Sequence, residues 1–298
     1  MLHWLLSTPL RAGLLAAALA LSRVLDVFGA GLLALVALRK GLLAALQVVA
    51  VAVPVMVIAG HFSGFGIALV VAVAGLWIPV LVLSLVLRNT GSLALMLQTG
   101  AGLAGTVLIA WYLLDPRALE TMRVFIETQV LPLLANMEGR AVTQELDDRQ
   151  REALVRIAPG LMVTASFVVA VLAVCVGRWW QAIAFNPGGF RKDFHRLKQG
   201  RIMALLVAVL VVAAAFTSHP VLLGVALAGI VTLIFQGIAL VHGVVAATGQ
   251  PGIWLWGMYG LVLLLPLPAM VLLAVAGGID NWMDFRRLAG QGAAKPDE

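Results

Sequence analysis

Apolar runs separated by short polar joints fill most of this chain, and the lengths of the runs are its first informative feature. A bilayer core about 30 Å thick takes a helix of roughly 20 apolar residues. The runs predict eight such helices, at about 12–37, 41–60, 64–87, 91–114, 157–182, 202–217, 220–246 and 253–279. Seven to nine spans fit the pattern, because Arg23 and Asp26 fall near the middle of the first run, where "DVFGAG" offers a break into two half-helices. The predicted fold class is all-α: a polytopic transmembrane helix bundle, with residues 1–298 as a single integral membrane domain.

One polar stretch interrupts the series. Residues 115–156 hold most of the acidic side chains, and Leu119, Met122, Ile126, Val130, Leu133 and Met137 recur there at three- and four-residue steps. That spacing predicts an amphipathic helical segment outside the membrane core, lying on the bilayer surface and kinked at Pro132. The following "ELDDRQRE" reads as a solvated turn or a second short helix.

Composition sharpens the class. Of 298 residues, 62% are hydrophobic and 11% charged, with mean hydropathy +1.04, whereas an ordinary soluble domain carries about 25% charged residues. The formal net charge of +6 sits at the ends of apolar runs, where basic residues set topology, and this argues against nucleic acid as a partner. Arg11 followed by "AGLLAAALALS" imitates a signal peptide, yet further spans follow at once, so it reads as a retained first span. A single cysteine, Cys175, excludes an internal disulfide or a thiolate metal cluster and reads as a packing residue.

The positive-inside rule places Arg39, Lys40, Arg88 and the stretch 186–201 on the cytoplasmic side, with "HFSG" and "TSHP" outside. Alternation through eight spans then puts both termini outside, at odds with Arg286 and Arg287 just beyond the last run. One apparent span must therefore be re-entrant or miscounted.

Candidate chemistry is sparse. "GAGLAG" at 100–105 matches a dinucleotide-loop pattern but sits inside an apolar run, where close helix packing explains it. No paired-histidine metal motif, nucleophile elbow or phosphate-loop lysine is present, so no enzyme activity, metal or cofactor is expected. Arg23 and Asp26, three apart, can pair within the membrane or form a polar site there, and Gln236 and His242 are further intramembrane polar candidates, with His242 read as packed or interfacial. Pro54, Pro79, Pro266 and Pro268 each bend or break a helix, and such breaks can line a cavity.

The densest basic cluster is "NPGGFRKDFHRLKQGR", residues 186–201. Asn186 and Pro187 initiate a turn, Gly188 and Gly189 supply backbone freedom, and Phe190, Phe194 and Leu197 recur on one face of a short interfacial helix. Arg191, Lys192, Arg196 and Lys198 occupy its other positions, within reach of anionic headgroups, while the glycine turn could offer amides to an anion. The candidate binding residues are Asn186, Pro187, Gly188, Gly189, Phe190, Arg191, Phe194 and Arg196, in either an anchor or a ligand site.

Extended backwards as "RWWQAIAFNPGGFRKDF", this stretch resembles the YybS-like family of bacterial integral membrane proteins. "GIALVHGVV", "DNWMDFRRL", "LVALRKG" and "WIPVLVLSLVLRNT" share the likeness, which runs along nearly the whole chain. The resemblance implies a multi-pass protein of the bacterial cytoplasmic membrane, remotely like the substrate-binding subunits of energy-coupling-factor importers. In those subunits small residues four apart on the first span dock the coupling subunit, a role that would fall on Ala12, Ala16 and Ala20. The expected function is binding or transport of a small molecule; the alternative is an envelope scaffold that docks proteins through 115–156 and the cytoplasmic loop. Membrane lipids, a small-molecule ligand and a membrane-protein partner are the expected partners.

Overall fold

The structure, a computed structural model, describes residues 7–22, 24–64, 66–138 and 147–293. Every regular element among them is a helix. In chain order these are α1 (Pro9–Leu21), α2 (Asp26–Lys40), α3 (Leu42–Phe62), α4 (Ile67–Thr90), α5 (Leu93–Leu114), α6 (Ala118–Phe125), a π-helical turn (Ile126–Val130), α7 (Leu131–Glu138), α8 (Asp148–Phe185), α9 (Gly189–His195), α10 (Arg201–Thr217), α11 (Pro220–Ala247), α12 (Ile253–Leu264), α13 (Pro266–Met283) and α14 (Phe285–Ala293). Six of them, α3, α4, α5, α8, α11 and α13, are long and apolar enough to cross a membrane, while α1, α10 and α12 are shorter apolar helices. Large apolar side chains stand bare, Ile202 at 85% and Phe216 at 88% exposure, which water would not tolerate over so much surface but hydrocarbon does. The protein is an all-α, multi-pass membrane protein.

Two compact units make up the chain: Met1–Gly100 with Ser166–Ala204 and Thr232–Glu298, and Ala101–Ala165 with Leu205–Val231. Helices α5, α8, α10 and α11 contribute a stretch to each.

In the first unit, the run over 12–37, for which a break into two half-helices is one expectation, forms two helices, α1 ending at Leu21 and α2 beginning at Asp26. Helix α2 carries Asp26 in its first turn and Arg39 and Lys40 in its last, each sign placed where the helix dipole favours it. Its residues Gly29–Leu38 are all buried. Only Gly41, at φ +91°, separates α2 from α3, a backbone angle that strains any L side chain. Helix α1 lies against α2 and α3: a Cβ on Gly29 would stand 2.9 Å from the Ala16 carbonyl oxygen, and one on Gly13 2.6 Å from Val51 Cβ. Ala12, Ala16 and Ala20 are buried on this internal face, so they dock α1 onto its own chain and are closed to a coupling subunit. Farther along, Gly31 on α2 meets Val176 on α8, and Gly177 meets the Gly31 carbonyl.

The last apolar run also breaks. Leu265 leaves helical geometry and Pro266 and Pro268 open α13, in the first turn where a missing N–H is least harmful. Pro54, Pro79 and Pro159, by contrast, stay inside continuous helices. Tyr259 on α12 touches His242 on α11, and α13 crosses α11 where Gly237 meets the Leu273 backbone and Gly277 meets the Leu233 carbonyl. Beyond the crossing, Asp284 pairs with Lys198 at 2.8 Å and Arg286 packs on Gly243. Helices α12 and α13 thus leave and return to the end of this unit at which α11 closes. Arg39, Arg88 and the 186–201 stretch gather there too: Arg39 stacks 4.4 Å over the Phe185 ring, and Arg88 donates to the Ala37 carbonyl at 3.4 Å. Arg286 thus lies at the same end of this unit as the 186–201 stretch.

The second unit holds the polar segment. Met122, Ile126, Leu131 and Val155 form its buried cluster; Val130, expected on that face, packs partly buried against it beside the fully buried Leu131, and Leu133 is exposed. The π turn is the cause: it adds one residue to the turn ahead of Pro132, which lacks the N–H an α-helix would use there, and this advances the buried face from i+4 to i+5. Met137's side chain lies outside the described residues. Of the following "ELDDRQRE", residues 145 and 146 lie outside the described residues, and Asp148–Glu152 are the start of α8, opened by a reciprocal cap in which Gln150 N donates to Asp147 Oδ1 at 2.7 Å and Asp147 N donates to Gln150 Oε1 at 2.9 Å. Arg123 on α6 then pairs with Glu152 on α8 at 2.6 Å.

Candidate functional site

Helix α8 stops where Pro187 cannot supply the next backbone donor. Gly188 turns the chain at φ +79°, in the left-handed region. Gly189 is buried against the Asn186 side-chain amide, and its own N–H donates to the Asn186 carbonyl at 3.0 Å. The Gly189 N–H is therefore occupied within the turn. The short helix α9 follows, held to α8 by an Arg178–Asp193 ion pair of 2.6 Å.

Beneath this turn lies a cavity of about 770 Å³. One wall is the α8 face carrying Leu172, Cys175, Trp179, Ala182 and Ile183; another is the α11 face carrying Phe235, Ile238 and His242. Pro187, Gly188, Phe190, Arg191, Phe194 and His195 roof it, and Tyr259 of α12 closes one side. The arginine and the two histidines, with the Tyr259 hydroxyl, lie at the roof end. His242 Nε2 lies 2.9 Å from the Tyr259 hydroxyl, Phe194 stands edge-on to His242 at 5.7 Å between ring centres, and the His195 ring is 6.1 Å from that of His242. Burial, with the Arg191 charge beside it, lowers the His195 imidazole pKa from its ordinary value.

Next to the cavity a buried polar joint ties three segments together. Gln199 N donates to Gln236 Oε1 at 2.8 Å, Gln236 Nε2 to Asp280 Oδ2 at 3.3 Å, and Gly200 N to Asn281 Oδ1 at 2.8 Å. Gln98 on α5 donates to the Gln199 carbonyl at 2.9 Å. Asp280 and Gln236 have no exposed surface. Arg286 Nη1 lies 3.1 Å from Asp280 Oδ2, while its Nη2 donates to the Leu197 carbonyl at 2.9 Å. The hydrogen bond from Lys198 holds the Asp284 carboxyl below the usual carboxylate range.

Of the residues singled out by sequence, Pro187, Gly188, Phe190, Arg191, Phe194 and His242 meet at one cavity, while Asn186 and Gly189 shape the turn above it. Arg196 instead lines a separate small pocket of about 290 Å³ with Ser92, Asp193 and Lys198. Gln236 belongs to the polar joint. Arg23 lies outside the described residues, and Asp26 accepts a hydrogen bond from Trp77 Nε1 at 3.2 Å. Sequence reasoning missed His195, Trp179 and Tyr259 on the cavity and Asp280 and Arg286 in the joint. His195 was findable, since it follows Arg191 by one helical turn; nothing local marks Tyr259. No protein-family model, no curated protein and no solved structure matches the chain.

Proposed function

We propose that this is a protein of the bacterial cytoplasmic membrane that binds a small molecule, or carries it across, at the cavity beneath the Asn186–Gly189 turn, without altering it chemically. The cavity carries the reading: about 770 Å³ with apolar walls and a few convergent polar groups at one end is the form of a small-molecule site. The likeness of "RWWQAIAFNPGGFRKDF" to the YybS-like family supports the bacterial setting. Ala182, buried on the α8 wall, offers the test. Native mass spectrometry of the protein released gently from its membrane is expected to show about one small molecule per chain. Ala182→Trp, which fills the cavity, is expected to lose it. Equal retention by both proteins, or no bound molecule on either, would sink the proposal.

A further inference from the structure

We propose that the occupant is an amphiphile with an anionic phosphate headgroup, taken sideways from the bilayer, with the headgroup at Arg191 and His195 and its hydrocarbon chain between α8 and α11. This rests on the cavity being a ligand site, and three observations take it further.

The cavity is graded. From Leu172 to Ile183 its α8 wall rises about 16 Å at 1.5 Å per residue. Its deep part is lined by Leu172, Cys175, Phe235 and Ile238, and only the roof end brings Arg191, His195, His242 and Tyr259. A wholly polar solute would leave its hydrogen-bonding groups unmatched at depth. An amphiphile satisfies both ends.

The charge at the roof is available. Asp193, the only acid on α9, is engaged by Arg178, and Lys198 is paired with Asp284. Arg191 has no carboxylate partner among the described residues, and of the lysines and arginines at 191–201 it alone lines this cavity. Lys192, its neighbour on the same short helix, does not.

The cavity is also open along its flank. Leu172, Trp179 and Ile183 line it, yet remain 44%, 51% and 54% exposed on a helix that crosses the membrane. What faces that flank is hydrocarbon. A ligand entering there comes from the bilayer, whereas a free anion would have no path through that side.

Native mass spectrometry of the delipidated full chain, titrated with phosphatidylglycerol, with phosphatidylcholine of the same chains, and with inorganic phosphate, tests this. Phosphatidylglycerol is expected to bind once per chain and at least about tenfold tighter than phosphatidylcholine. Arg191→Gln is expected to weaken it about fivefold, the worth of one basic contact to an anionic headgroup, and Lys192→Gln to leave it unchanged, with melting temperatures confirming that both variants fold. His195→Gln reports on the same headgroup if Arg191→Gln does not fold. Equal binding of the two lipids, or equal losses in the two variants, would overturn the headgroup assignment. Inorganic phosphate binding at the cavity while lipid does not would replace the amphiphile with a soluble anion and leave the ligand site standing. Lipid binding undiminished by Ala182→Trp would remove the cavity from both readings.

Discussion

Asp280 has no exposed surface and faces one cation, Arg286, whose side chain is 13% exposed. Two charges withdrawn from water compensate one another, and deleting one leaves the other without compensation. Arg286→Met is therefore expected to lower stability by about 3 kcal/mol or more, and adding Asp280→Asn to recover part of that loss. A double-mutant cycle of unfolding in detergent reads the coupling; strictly additive losses would mean that the pair does not interact. His195 supplies a pH dependence. It is faced by Arg191 on its own helix, His242 on α11 and Arg286 on α14, with burial as the main cause of its lowered pKa. A histidine whose folded pKa lies below its unfolded value of about 6.5 adds no penalty above that pH and destabilises the fold progressively as pH falls through it. The melting temperature of the wild type relative to His195→Gln is expected to drop between pH 7.5 and 5.5. A constant difference would show that His195 titrates alike in both states. Neither role could be read along the chain, because Asp280 and Arg286 look like ordinary polar residues at the end of an apolar run until the joint assembles around them.

Helices were the most legible scale, and their failures have specific causes. Hydropathy alone finds an apolar run; the two that break do so ahead of Asp26 and of Pro266, residues that charge and proline content single out but run length does not. Periodicity counting assumes 3.6 residues per turn, so it finds Val130, which packs partly buried against the cluster, and passes over Leu131, which the π turn brings into its centre. The start of α8 was present in the sequence as Asp147 followed three residues later by Gln150, a capping pair hidden among charges that suggested a solvated turn. The crossing of α11 and α13 gives this scale its prediction. A Cβ at Gly237 would meet the Leu273 backbone and one at Gly277 the Leu233 carbonyl, neither of which is a flexible side chain that can move aside. Gly237→Ala or Gly277→Ala is expected to lower stability by about 2 kcal/mol or more. Gly257→Ala on α12, with open space around it, is expected to be neutral or to raise stability by up to about 1 kcal/mol. Similar effects at all three positions would show that the helices do not approach so closely.

For the whole molecule, the sequence supports membrane residence and helical class; the meeting of α8, α9, α11 and α12 around one cavity depends on long-range packing that no local pattern encodes. Orientation can be measured with single cysteines in a Cys175→Ser background. Lys192 and Ser63 are both exposed, the first on α9, the second in the turn closing α3. Lys192→Cys is expected to react with a membrane-impermeant reagent only after the cells are opened, and Ser63→Cys in intact cells. The reverse pattern would invert the topology. The polar joint, finally, constrains the order in which the protein is made. Arg286 reaches back 89 residues to Leu197, Asn281 reaches back 81 to Gly200, and Asp280 reaches back 44 to Gln236. While the ribosome is still making α12, the stretch that follows the Asn186–Gly189 turn can be held by Arg178 through Asp193 and by Gln98 and Gln236 through Gln199, but not yet by Asn281 or Arg286. The last ties to the segment over the cavity therefore form only when α13 and the first turn of α14 arrive, so through most of synthesis that segment is held by fewer contacts than in the finished protein.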